Sequence, residues 1–223
     1  MHMSARDRTQ RTHSPSTGRR ASGFTLIEIL VTMLVLVLGL LGVIGMQTRA
    51  SATEFESYQR GQALSLARDM QARLLSSRGA LAGYLNTSVS STDGSVYFGS
   101  GSGAASFVDG AGNCIAPIAG DAVSQAKYQA CTWGADLQGV AAKEGASAVG
   151  AMLGARGCVI QLNPPQQNAL ADLYVVVVWQ GIGKRSEPDA NSPAGQCASG
   201  VDFGDGLRRG ISVRVLVPDL QKS

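Results

Sequence analysis

Between Phe24 and Met46 the chain is apolar except for one charge, Glu28. At helical rise this run of 23 residues is about 35 Å long, enough to span a bilayer. After Met46 the pattern turns amphipathic. Phe55, Tyr58, Gln62, Ala63, Leu66, Met70 and Leu74 recur every three or four residues, and Glu54, Glu56, Arg60, Arg68 and Arg73 fill the gaps. No proline falls between Phe24 and Pro117, and Gly79 after Arg78 reads as a C-terminal stop. The pattern predicts one long helix over 24–78, about 80 Å in length. Its first half, 24–46, is the membrane-spanning part, and its second half has one stripe for packing. Two helices hinged near Gly45 are the competing reading.

Residues 79–113 are rich in Gly and Ser, with short strand signals only at Val96-Tyr97-Phe98 and Phe107-Val108. Ser124 to Lys143 reads as a second helix, with Ala126, Ala130, Trp133 or Leu137, and Val140 on one side. Three strands follow. Gly157–Leu162 stops at Asn163-Pro164-Pro165, Leu173–Gln180 is β-branched, and Ile211, Val213, Val215 and Val217 alternate with Ser212, Arg214 and Leu216. The short connection after the first strand favours antiparallel order. These elements predict an α+β chain, with a globular domain over 79–223 built on a small antiparallel β-sheet. The loop from Gly181 to Gly206 is long, rich in Pro, Gly and Asp, and contains Cys197.

Glu28 sits five residues into the apolar run. A charge at that depth costs about 2.5–3.5 kcal/mol on insertion scales, which makes it a functional candidate. The formal charge of +3 comes from residues 1–23, which hold Arg6, Arg8, Arg11, Arg19 and Arg20 against Asp7. Without them 14 basic face 15 acidic side chains, so no basic patch for nucleic acid is implied. Five arginines before the span, against Arg49 and Arg60 shortly after it, predict a cytoplasmic N-terminus. Gly39, Gly42 and Gly45 can serve close helix contact or local melting, and the sequence does not choose.

Both histidines, His2 and His13, precede Gly23. A chain cut there holds none, which removes Ser-His-Asp and Cys-His catalysis and His-based zinc sites. No metal or cofactor is implied. Cys114, Cys131, Cys158 and Cys197 lie beyond the span; their even number in an oxidising compartment favours two disulfides. Three pairings are open, and proximity alone favours Cys114–Cys131 with Cys158–Cys197. Gly99–Gly103 lacks the context of a phosphate loop, and Asp202-Phe203-Gly204-Asp205-Gly206 lacks that of a kinase or calcium loop. The latter reads as a turn, with weak calcium binding by Asp202 and Asp205 as the alternative.

Gly23-Phe24-Thr25-Leu26-Ile27-Glu28 resembles the processing site of type IV prepilins and type II secretion pseudopilins. Gly39-Leu40-Leu41-Gly42-Val43, the segment ALSLARDMQARLLSSR at 63–78, Cys131-Thr132-Trp133-Gly134-Ala135-Asp136, Gly157-Cys158 and Val175–Trp179 are similar to type IV pilus minor pilins of the PilV type. The resemblance implies a pilin fold, with the long helix packed on the sheet, and no enzymatic activity. It implies a leader at 1–23 cleaved by prepilin peptidase between Gly23 and Phe24, N-methylation of Phe24, and a role for Glu28 in assembly. The implied partners are other minor pilins and the major pilin, prepilin peptidase, the inner-membrane assembly machinery, and inner-membrane lipid before assembly. The implied place is the inner membrane, single-pass with the C-terminal domain in the periplasm, and then the pilus at the cell surface. Two other readings stay open: a minor pseudopilin of a type II secretion system, and an adhesin or DNA-uptake pilin. For DNA uptake, the pairs Lys184-Arg185 and Arg208-Arg209 make a weak case.

Overall fold

A computed structural model describes residues 23–85, 88–139, 143–144, 147–148, 152–162 and 169–218. The expected leader before Gly23 and the stop at Asn163-Pro164-Pro165 lie outside the described residues. The elements run α1 (Leu26–Ser76), α2 (Arg78–Tyr84), β1 (Phe98–Gly99), α3 (Ala122–Leu137), β2 (Lys143–Glu144), β3 (Ser147–Ala148), β4 (Arg156–Gln161), β5 (Ala169–Gln180), α4 (Pro193–Gln196) and β6 (Arg208–Pro218). Two compact units divide at Gln47/Thr48. The second half of α1 therefore belongs to the unit that contains the sheet.

In the first unit every residue of α1 is exposed. This apolar stretch is the one helical segment among the described residues long and apolar enough to cross a membrane.

In the second unit β1-β4-β5-β6 form a four-stranded antiparallel sheet. A long N-terminal helix followed by such a sheet is an α+β pilin fold. The faces of β5 explain its Val-rich run. Leu173, Val175, Val177 and Trp179 enter the main core with Ala63, Ala67, Met70 and Leu74 of α1 and with Trp133 and Leu137 of α3. Val176 and Val178 enter a second cluster with Cys158, Ile160, Ala194, Cys197 and Phe203. Both faces are covered there, so the run from Val175 to Trp179 is continuously apolar. On β6, Val213 and Val215 stand opposite Val175 and Leu173, while Ser212 and Leu216 are exposed, as the alternation requires.

Several boundaries differ from the sequence expectation. The buried stripe of α1 is Gln59, Ala63, Ala67, Met70 and Leu74, whereas Phe55 and Tyr58 are 47% and 67% exposed. The chain does not leave helix at Gly79, because α2 follows after the single residue Ser77. α3 starts earlier than Ser124: Asp121 caps it, accepting the N–H groups of Val123 and Ser124. It also ends well before Lys143. Gly139 takes φ +73° and donates its N–H to Asp136 O, which stops the helix. Lys143 lies instead in β2, paired with β3. Of Val96-Tyr97-Phe98 only Phe98 is strand, in β1, and Val108 forms a single bridge to Cys114.

Trp133 joins the layers. Its Nε1–H donates to Leu66 O of α1 at 2.9 Å, and its ring lies so close to β4 that a Cβ on Gly157 would overlap it.

Candidate functional site

The N-terminal site is built on a helix cap. Gly23, Phe24 and Thr25 are outside the helix, and α1 starts at Leu26. Thr25 Oγ1 accepts the Glu28 N–H at 3.3 Å. The Thr25 carbonyl accepts the N–H groups of Glu28 at 3.1 Å and Ile29 at 3.3 Å. Thr25-Leu26-Ile27-Glu28 thus has the spacing of a capping box, with Thr at N-cap and Glu three residues on. That local signal was readable in the sequence and was missed; the bond observed is the one accepted by the Thr25 hydroxyl.

The geometry separates two chemistries. The Gly23–Phe24 bond lies in non-helical chain, no atom stands within 4 Å of a Cβ built on Gly23, and Phe24 is 80% exposed. A protease needs an approachable, non-helical backbone, and among the described residues Gly23 to Thr25 lie outside the helix. Glu28 lies in the first helical turn, where a negative charge is favoured by the helix macrodipole. Among the described residues no cation is paired with its carboxylate.

The four cysteines form two disulfides, Cys114–Cys131 and Cys158–Cys197. The first ties the segment before α3 to α3 itself. The second ties β4 to the loop that covers the outer face of the sheet. Arg208 reinforces that loop, donating to the carbonyls of Ala194, Gly195, Cys197 and Ala198. Burial pushes its guanidinium below the ordinary value, with Glu187 opposing the shift. Phe203 lies between two cations, with Arg156 4.8 Å and Arg208 4.7 Å from its ring centroid.

These contacts assign the remaining motifs. Asp202 accepts the Gly204 N–H at 2.7 Å, and Asp205 pairs with Lys184 at 2.7 Å, so the two carboxylates are engaged separately in a turn. Among the described residues no group of three His, Cys, Asp or Glu could hold a metal. Of the two basic pairs, Arg208 is buried, Arg209 is 14% exposed, Lys184 is paired with Asp205 and Arg185 with Glu56.

Residues 18–44 match the prokaryotic N-terminal methylation motif. This match supports a type IV pilin-like protein. The matched residues bracket Gly23, Phe24 and Glu28 and end inside the apolar run. Neither a curated protein nor a solved structure matches the chain. The family defined by the motif is structural and not catalytic, and the motif with its apolar helix points to membrane anchoring and a pilus. For this pilin-like chain, interaction with prepilin peptidase and with pilus assembly components follows in general terms.

Proposed function

We propose that this pilin-like chain is a minor pilin of the PilV type. It is cleaved between Gly23 and Phe24 by prepilin peptidase, methylated at Phe24, and held in the inner membrane with its N-terminus cytoplasmic and its C-terminal domain periplasmic. From there it helps to initiate type IV pilus assembly near the fibre tip, with other minor pilins and the major pilin. Glu28 docks the subunit by meeting the Phe24 amine of a neighbour. The observation that carries this reading is the pairing of an exposed, non-helical Gly23–Phe24 bond with an unpaired carboxylate one helical turn later. The domain division follows from it: leader 1–23, helix 24–78 with its membrane half 24–46, and globular part 79–223.

The processing step is tested by mass spectrometry of membrane protein. Wild-type chain should begin at methylated Phe24. Gly23→Val places a β-branched side chain at the scissile bond and should leave the precursor uncut. A normal, methylated Phe24 in that variant would reject the assignment of the site.

A further inference from the structure

Glu56, Arg60, Trp179, Arg185 and Arg209 bound a cleft of about 280 Å³ in the second unit. Its charge is unbalanced. Glu56 Oε2 takes Arg185 Nε at 2.9 Å, and Glu56 Oε1 lies 3.6 Å from Arg209 Nη2. One carboxylate therefore serves two guanidiniums. Arg60 is exposed, and among the described residues no carboxylate pairs with it. Arg209 gives Nη1 to the carbonyls of Gly206 and Arg208 and Nη2 to Gly183, while its buried Nε–H meets no acceptor among the described residues. Three cations against one anion leave a surplus of positive charge in a recess floored by an indole. The chain beyond Gly23 taken as a whole carries no such surplus, with 14 basic and 15 acidic side chains.

We propose that this cleft binds a phosphate oxyanion, and that in the anchored subunit the phosphate is that of an anionic lipid headgroup. The second clause rests on the membrane-anchored reading given above. Guanidinium forks match the several oxygens of a phosphate, and Arg60 and the terminal nitrogens of Arg185 are placed to present them. Lipid is the source because of connectivity. Thr53, on the cleft wall, follows Met46 by seven residues, a tether that reaches no further than about 25 Å even fully extended. Tyr58, on the same stretch of α1, is 67% exposed, and tyrosine is enriched where a helix passes from membrane to water.

The test uses the full chain in non-ionic detergent, titrated with short-chain phosphatidylglycerol, with phosphatidylcholine of the same chain length, with inorganic phosphate, and with acetate at matched ionic strength. The readout is the arginine Nε–H region of a nitrogen-correlated NMR spectrum, where Arg209 reports from inside the cleft. Phosphatidylglycerol should shift the Arg209 signal saturably, and inorganic phosphate should compete for the same site. Arg60→Gln and Arg185→Gln should each weaken phosphatidylglycerol binding about fivefold, the factor for about 1 kcal/mol per basic residue near an anionic surface. Glu56→Gln should strengthen it, because it removes the internal competitor. Acetate competing as well as phosphate would overturn the phosphate assignment. Phosphate binding without preference for phosphatidylglycerol over phosphatidylcholine would overturn the lipid source. Flotation of the chain with neutral vesicles checks anchoring separately. A chain that floats while Arg209 stays unmoved by every anion rejects the cleft and leaves the anchor standing.

Discussion

Removing the Cys158–Cys197 bond should destabilise the globular unit and release the loop over 181–207. The bond closes a separation of 39 residues. In the chain-entropy account, a loop of that length removes about 13 cal/mol/K from the unfolded ensemble, or about 4 kcal/mol at 25 °C. Folded domains hold about 5–15 kcal/mol in total, so the loss is a large share. The folded state amplifies it locally. Both sulfurs are buried in the outer cluster beside Ile160, Val176, Val178 and Phe203, and α4 is the single regular element between β5 and β6. Without the bond the loop keeps Arg208, the contacts of Phe203 with Arg156 and Arg208, and the pairs Arg185–Glu56 and Lys184–Asp205. The assay is urea unfolding of the Cys158→Ala/Cys197→Ala double variant, followed by Trp133 and Trp179 fluorescence. With a slope of about 2 kcal/mol/M the midpoint should fall by about 2 M. Limited proteolysis should cut first between Gly181 and Leu207. The Cys114→Ala/Cys131→Ala variant, closing a separation of 17, should lose about 3 kcal/mol and leave that loop protected. A midpoint shift below a quarter of the predicted value, with the loop still resistant, would refute the reasoning.

Two further outcomes follow from buried groups. Gly157→Ala puts a methyl group into the Trp133 ring and should cost about 1–3 kcal/mol by overpacking, read as a lowered thermal midpoint; a wild-type midpoint would show that the indole can move aside. Burial raises the Tyr84 hydroxyl above its ordinary value of 10.0, with Arg73 opposing the shift. Its folded pKa exceeds its unfolded one, so this contribution is complete below pH 10 and is lost as pH rises above it. Urea midpoints at pH 8 and pH 11 should differ more in wild type than in Tyr84→Phe, and equal differences would count against Tyr84 as the titrating group.

Much of this fold was legible because its strongest signals are long. The uncharged run after Glu28 and the β-branched run at Val175–Val178 each read correctly, since apolar surface on that scale has few places to go. Failures came where short-range chemistry or packing overrode periodicity. Phe55 and Tyr58 fit the helical spacing, but burial on α1 falls on Gln59, Ala63, Ala67, Met70 and Leu74 and both aromatic residues stay exposed. The end of α3 was misplaced because the apolar pattern continued to Val140, while a single left-handed glycine, Gly139, stopped the helix. α2 was hidden at the edge of a Gly-rich segment, where Gly79 and Gly83 outweighed the helix-forming Ala80, Leu81 and Ala82 in the reading. At the N-terminal site, Gly23, Phe24 and Glu28 were legible as a motif, but the Thr25 cap that frames them was overlooked. The cleft at Glu56 and Arg209 was not legible, because its cations come from α1, the loop after β5, and β6.

Charge pairing at Glu28 is the centre of the account, and its partition between membrane and fibre tests it most directly. Leaving one charge of a buried pair without its partner costs about 3–5 kcal/mol, enough to set docking register. Glu28→Leu removes the carboxylate while improving solubility in lipid. The Thr25 hydroxyl still caps the helix, so folding and processing should be retained. Quantitative immunoblots of inner membrane and sheared fibres, from cells expressing equal amounts of each form, give the measurement. The variant should accumulate in the membrane, processed to Phe24, and be depleted from fibres, with piliation reduced. Wild-type amounts of processed Glu28→Leu protein in sheared fibres would contradict the account.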